Sequence, residues 1–312
     1  MKLEFVKCQG SGNDFVMIDA VGQRTDDIDM AALSSALCDR RGPLGADGLL
    51  LTVRDGAGFG MRMYNPDGTQ AEMCGNGIRC VARQARRYTN ADRFMLRSGK
   101  RNYAVARESD IATGIPTYSV RIPISLQSPD LALGVADEPF IDSPIEELDS
   151  DLRFTALSLG NPHIVARCES IDLGLLEVVA RRATAAKHLF PNGVNVSFYR
   201  VASPREIVTA TFERGAGLTL SCGTAMTACT TAAVLTGACE EGKSITVRNR
   251  GGMVVCRCET EPSIATELRG NASYDFAGTI SDESGELKVD ITRTCDTERE
   301  IYNSFAEREK SI

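Results

Sequence analysis

A repeat constrains this chain more than any other feature. Gly12-Asn13 lies 62 residues before Cys74-Gly75, and Gly160-Asn161 lies 62 residues before Cys222-Gly223, so both landmarks recur at an offset of 148. A polar residue, Asn65 or Glu213, stands nine positions ahead of each cysteine. The segments around the cysteines read alike, YNPDGTQAEMCGNG against FERGAGLTLSCGTA. Three landmarks at one offset predict two related halves. Residues 1–125 carry Cys74 and residues 153–275 carry Cys222. The proline-containing polar stretch 126–152 between them reads as a crossover. Residues 276–312 read as a polar C-terminal extension. Its end is expected to be a short surface helix with Ile301 and Phe305 one turn apart, or a frayed tail.

Within each half the pattern suits buried strands and one central helix. Phe15–Ile18 and Leu49–Leu51 are short apolar runs, and residues 60–64 alternate into the Asn-Pro-Asp-Gly turn at 65–68. Residues 194–199 and 207–212, with Leu157, Ile164 and Val165, repeat the strand signal. A helix is expected after each cysteine. Ile78, Val81, Ala82 and Ala85 follow helical spacing with arginines between them, and Met226, Cys229, Thr230 and Ala233 keep the same rhythm on a small, apolar helix. The expected fold class is α+β, two pseudo-symmetric domains, each a sheet wrapped around a central helix.

Composition narrows the function. A net charge of −7 and a pI near 5.1 argue against a general binder of nucleic acid or anionic membrane. No apolar run is long enough to span a bilayer, and MKLEFVKCQGSGNDF has no apolar signal core, so the chain reads as cytoplasmic. The eleven cysteines are then mostly thiols. With two histidines, no C-x-x-C and no H-E-x-x-H, no metal site is expected.

The repeat separates Cys74 and Cys222 from the nine other cysteines, which read as packing. Each of the two sits between a strand and a helix. The helix dipole and free N–H groups there are expected to lower the thiol pKa from about 8.5 toward neutrality. The N–H groups of Gly75-Asn76-Gly77 and Gly223-Thr224-Ala225 suit a carboxylate. Halves related by a pseudo-two-fold would bring both helix N-termini to one crevice. One cysteine as thiolate could then take the α-proton of an amino acid, and the other as thiol could return one on the opposite face. The developing charge would be held by backbone N–H groups, with no electrophilic cofactor.

At these residues the chain resembles the diaminopimelate epimerases, cofactor-independent enzymes of lysine and peptidoglycan biosynthesis. The motifs are GSGNDF at 10–15, GADGLL at 45–50, NPDGTQAEMCGNGIRC at 65–80, GNPH at 160–163, PNGVNV at 191–196 and ERGAGLTLSCGTA at 213–225. The resemblance implies Cys74 and Cys222 as the acid/base pair, with His163 and Glu213 tuning the thiols. It implies that Asn13, Asn65, Asn161, Asn195, Glu213 and Arg214 hold the distal amino-acid group of the substrate. Gly75, Asn76, Gly223 and Thr224 would cradle the reacting carboxylate. It also implies a homodimer, no nucleic-acid or membrane partner, and interconversion of LL- and meso-diaminopimelate. Ala225, Met226, Leu218 and Gly48 depart from common family residues; they bear on the shape of the pocket and leave the carboxylate cradle intact. Two alternatives use the same cysteines: a racemase of another amino acid such as histidine, and a thiol-redox or amino-acid-binding module without turnover.

Overall fold

The computed structural model describes residues 2–134, 138–283 and 286–309. In chain order the first half contains β1 (Lys2–Gly10), β2 (Asn13–Asp19), α1 (Met30–Cys38), β3 (Gly48–Asp55), β4 (Gly58–Tyr64), β5 (Gln70–Ala71), α2 (Gly75–Ala85), β6 (Arg93–Ser98), β7 (Arg101–Glu108) and β8 (Thr117–Pro123). The second contains β9 (Ser143–Pro144), β10 (Arg153–Ser158), β11 (Pro162–Arg167), α3 (Leu173–Ala185), β12 (Asn195–Ser203), β13 (Glu206–Glu213), β14 (Gly217–Leu218), α4 (Gly223–Leu235), β15 (Ile245–Asn249), β16 (Gly252–Glu259) and β17 (Ala265–Asn271). The chain ends in β18 (Ser273–Glu283), β19 (Glu286–Thr294) and α5 (Asp296–Glu309). The described residues form two compact units, those of 2–120 with 269–308, and those of 121–268 with 309.

The units share one strand-pairing scheme. In the first, β1 pairs antiparallel with β2, β2 parallel with β3, β3 antiparallel with β4, β4 parallel with β6, and β6 antiparallel with β7. In the second, β10, β11, β12, β13, β15 and β16 repeat that alternation step for step. The short arms β5 and β14 hang on β4 and β13 alike.

Each central helix packs on the sheet of its own unit, α2 against β1, β2, β3, β4, β6 and β7, and α4 against β11, β12, β13, β15 and β16. The opposite face of the first sheet is covered by α1, where Val16, Ile18, Leu49 and Leu51 meet Leu33 and Leu37. Strands β2 and β3 are therefore buried on both sides. That is why FVMI and LLL are unbroken apolar runs rather than alternating ones. In the second unit α3 covers the corresponding face through Leu176, Val179 and Ala183, beside Val196 and Phe198.

Two expectations differ from the structure. The crossover is not only a polar surface loop. Ser143–Pro144 pairs with Arg153 and Phe154, and Leu131, Ile145 and Leu148 enter the core of the second unit. Residues 135–137 of that stretch lie outside the described residues. The described residues from 276 to 308 are an integral part of the first unit. Strand β18 runs antiparallel along the whole of β1, and β19 pairs with β18. Helix α5 buries Tyr302, Phe305 and Ala306, and each of the two aromatic side chains contributes roughly 1.5–3 kcal/mol. Ile301 is only half buried, so the contact face is set by the residue after it. Residues 310–312 of the expected tail lie outside the described residues.

Candidate active site

Both cysteines occupy the N-cap of a central helix with extended backbone, Cys74 at φ −138° and ψ 112°, Cys222 at φ −124° and ψ 112°. The N-cap side chain is the one placed to receive the unpaired N–H groups of the first turn. The Gly77 N–H donates to Cys74 Sγ at 3.3 Å. In α4 the Cys222 side chain makes no such capping bond, and its sulfur meets Thr224 Oγ1 at 3.4 Å instead. A side chain at Gly77 would press on Leu50, its Cβ lying 2.9 Å from Leu50 Cδ2. The second unit accepts Ala225 there, fully buried. Before each site a glycine with positive φ, Gly12 at 81° and Gly160 at 96°, turns the chain so that the next residue, an asparagine, meets the helix start.

In the first unit, Asn13 is the hub. Its Oδ1 lies 3.8 Å from Cys74 Sγ and accepts from Asn76 Nδ2 at 3.5 Å. Its Nδ2 donates to Asp47 Oδ2 at 2.6 Å, and Asp47 is held in turn by Arg40. Helix α2 carries a charge that sequence spacing placed on its polar side. Arg79 has no solvent exposure (0%). It donates to Gly75 O at 2.9 Å, Asn76 Oδ1 at 3.1 Å, Ser11 Oγ at 3.0 Å and Asn271 O at 3.1 Å. A buried guanidinium persists only where its donors are satisfied in this way. Arg79 therefore braces the first turn of α2 and the Asn76 amide. Its last named partner is 192 residues distant in sequence, which explains why its burial is invisible in a local pattern. Asn65 closes its own turn: its amide donates to Thr69 Oγ1 at 3.0 Å.

In the second unit, Asn161, His163, Thr224 and Cys222 form one connected cluster. Thr224 Oγ1 lies 3.4 Å from Cys222 Sγ and 3.1 Å from His163 Nε2, and accepts from Asn161 Nδ2 at 3.3 Å. His163 Nε2 also meets Asn161 Oδ1 at 3.2 Å. That oxygen only accepts, so Nε2 carries the proton. Burial, helped by the Arg214 charge, lowers the His163 pKa to about 3, and the ring is neutral. Asn195 Nδ2 donates to Pro162 O, and its Oδ1 accepts the Arg214 N–H at 2.9 Å. The Arg214 guanidinium is exposed and donates to Asn192 O at 2.7 Å. Glu213 accepts from Thr219 Oγ1 at 2.6 Å, a partner that sequence reasoning did not single out. The signal was there: Thr219 follows Leu218 on the return arm of the hairpin that Glu213 begins.

The expected fall of the thiol pKa does not hold for Cys222. The thiol is buried and its pKa is pushed well above the ordinary value, first by desolvation and then by the Glu213 charge. The Thr224 hydroxyl and the nearby Ala225 N–H act in the lowering direction and are outweighed. Cys222 is a thiol at rest. Among the other cysteines, Cys8, Cys38, Cys168, Cys229, Cys239 and Cys258 are likewise raised, with burial as the leading cause. Among the described residues no group of three His, Cys, Asp or Glu side chains could hold a metal. No helix among them is long and apolar enough to cross a membrane.

Comparison with known proteins also finds two matching segments. Residues 5–118 and 155–274 match the family described as "Diaminopimelate epimerase". A diaminopimelate epimerase of Clostridium acetobutylicum is 33% identical, over 98% of this chain and 95% of its own. That of Listeria monocytogenes is 32% identical over 99% and 98%, and that of Ligilactobacillus salivarius 37% identical over 81% of each. Among solved structures, a PhzF-family phenazine biosynthesis protein of Bacillus anthracis superposes with a TM-score of 0.64 at 14% identity, covering 90% of this chain and 100% of that one. A hydroxyproline epimerase of Agrobacterium vitis gives 0.60 at 14%, covering 89% and 92%. These two likenesses speak for the fold alone. With the family matched across both halves and relatives about a third identical along nearly its whole length, the chain belongs to the diaminopimelate epimerase family.

Proposed function

We propose that this protein epimerises LL-2,6-diaminopimelate to the meso form by two-thiol acid/base catalysis. The observation that carries the proposal is the doubled thiol. Family membership supplies the reaction, and each unit places a cysteine at the N-cap of its central helix. In this reading one cysteine, as thiolate, removes the proton from the α-carbon. The other, as thiol, returns a proton on the opposite face, and no atom is gained or lost. Cys222 suits the donor role in the resting state, because burial and the Glu213 charge keep its proton on.

The remaining roles follow the same reading. The free N–H groups at the starts of α2 and α4, with Gly75, Asn76, Gly223 and Thr224, hold the reacting carboxylate as its α-carbon becomes anionic. Arg214, exposed and forked, suits the distal carboxylate. Asn13, Asn65, Asn161, Asn195 and Glu213 hold the distal amino group and the substrate backbone, and His163 and Glu213 tune the thiols. The enzyme works as a cytoplasmic homodimer on a small amino acid, without nucleic-acid or membrane partners. A racemase of another amino acid is the lesser reading, since the relatives that cover the chain are named for diaminopimelate.

Incubation with LL-diaminopimelate in deuterated water tests the proposal. Deuterium is expected at one α-carbon, with meso product growing in step. Exchange into a monocarboxylic amino acid, with diaminopimelate left unlabelled, would overturn the substrate assignment.

A further inference from the structure

We propose that Thr219 is a positioning residue of the Cys222 site, its hydroxyl holding the Glu213 carboxylate turned toward the Cys222 sulfur. The inference rests on the reading that Cys222 handles the substrate proton. Thr219 Oγ1 donates its single proton to Glu213 Oε1 at 2.6 Å, the short spacing of a charge-assisted bond.

The hairpin makes this contact a fixed feature. Strand β13 ends on Glu213, which pairs with Gly217, and Phe212 pairs with Leu218. The Thr219 N–H continues the ladder to Thr211 O at 3.3 Å, and the Ala216 N–H closes the turn on Glu213 O at 3.2 Å. Glu213 and Thr219 are thus diagonal neighbours on one face of an antiparallel pair, within reach of long side chains. The Arg214 N–H bond to Asn195 Oδ1 pins the start of the turn.

The other half isolates what Thr219 adds. The residue 148 positions earlier is Ala71, which has no hydroxyl. There the residue nine before the cysteine is the neutral Asn65, and Thr69 holds its amide from within the turn. A hydroxyl on the return arm thus accompanies a carboxylate, not the repeat as such. Glu213 acts on Cys222 through both charge and a hydrogen bond, and both depend on where the carboxylate points. Around it, α4 brings no charged side chain, the His163 ring is neutral, and the Arg214 guanidinium is turned to Asn192 O.

Removing the hydroxyl frees the carboxylate and withdraws a bond that favours its charged form. The carboxylate can then turn away, its charge and hydrogen bond at the sulfur weaken, and the Cys222 thiol ionises at lower pH. The test is the pH dependence of Cys222 alkylation by iodoacetamide, read by mass spectrometry of its peptide in the full-length chain without substrate. T219V is expected to lower the midpoint by about one pH unit, and T219S to return it to wild type. Epimerisation by T219V should fall about tenfold in kcat. An unshifted midpoint in T219V that melts like wild type overturns the proposal. If the added branch prevents folding, T219A removes the hydroxyl without it and is judged by the same criterion. The titration needs no turnover, so the two readings fail separately. A shifted midpoint in an enzyme inert toward diaminopimelate sinks the substrate assignment alone, and an unshifted one in an active epimerase sinks only the role of Thr219.

Discussion

The two cysteine-bearing helices start in the same way and are surrounded differently. Both have the thiol at the N-cap, and in both a partner holds the carbonyl of the glycine that follows. In α2 that partner is the buried Arg79 guanidinium, 2.9 Å from Gly75 O. In α4 it is the hydroxyl of Thr227, 148 residues later in the chain, 2.9 Å from Gly223 O. The same offset pairs Phe15 with His163, both fully buried, and Asn65 with Glu213. Duplication preserved the backbone that aims a thiol and its neighbouring N–H groups. The charges around each thiol diverged, with Asn65 on one side and Glu213 on the other.

The largest effect tests whether both thiols are needed. C74A and C222A should each lose at least about a thousandfold in kcat, measured as loss of product and of deuterium wash-in, because each removes a proton-transfer group. A variant that keeps most of its turnover would show that one half alone does the chemistry. The second test concerns the bracing of the helix starts. Arg79→Met strands two backbone carbonyls and the Asn76 amide oxygen in the interior, and should destabilise by about 3 kcal/mol in urea unfolding. Thr227→Val removes one hydroxyl that bonds a carbonyl of its own helix, and should cost about 1 kcal/mol. Equal losses would erase the distinction between a helix braced by distant segments and one that braces itself.

Much of this was legible in the sequence because it is local or periodic. Strands β2, β3, β4, β12 and β13 lie where apolar runs and turn residues predict, and the 148-residue offset exposed the doubled site. What escaped is what depends on distant partners. Strand β18 is polar enough to read as an extension, yet its register is set by β1, where Leu3 faces Ile280. Arg79 follows Ile78 on the helix and looks like a surface charge until Asn271 and Ser11 are brought to it. The Cys222 pKa was misjudged because the dipole argument counts only the helix, whereas burial and Glu213 act from outside it. Glu298 is a further case: it forks onto Arg83 of α2 at 2.5 and 3.0 Å and also accepts the Tyr274 N–H. E298Q should cost about 1–2 kcal/mol. The solvent-exposed helical pair Arg181–Glu177 should be worth under about 0.5 kcal/mol.

The sharpest discriminator between the halves is the pH response of the imidazole that only the second half carries. His163 is neutral in the fold, its pKa lowered to about 3. In the unfolded chain it titrates near about 6.5. Between those values the unfolded state binds a proton that the native state refuses, so stability rises with pH across that window and falls as pH drops through it. Below about pH 6 this one group contributes a slope of at most about 1.4 kcal/mol per pH unit. Above about pH 7 it contributes none. Substituting the residue that the first half uses at this position, H163F, removes the titration while keeping an aromatic ring. It also strands Thr224 and Asn161, so its stability at pH 7.5 should be lower. Urea unfolding of both proteins from pH 5 to pH 7.5 separates the two effects: the offset reports the lost hydrogen bonds, and the change in slope reports the buried neutral ring. Parallel curves would mean that His163 takes up a proton as readily in the native state as in the unfolded chain, and the electrostatic contrast between the two thiol sites would have to be drawn without it.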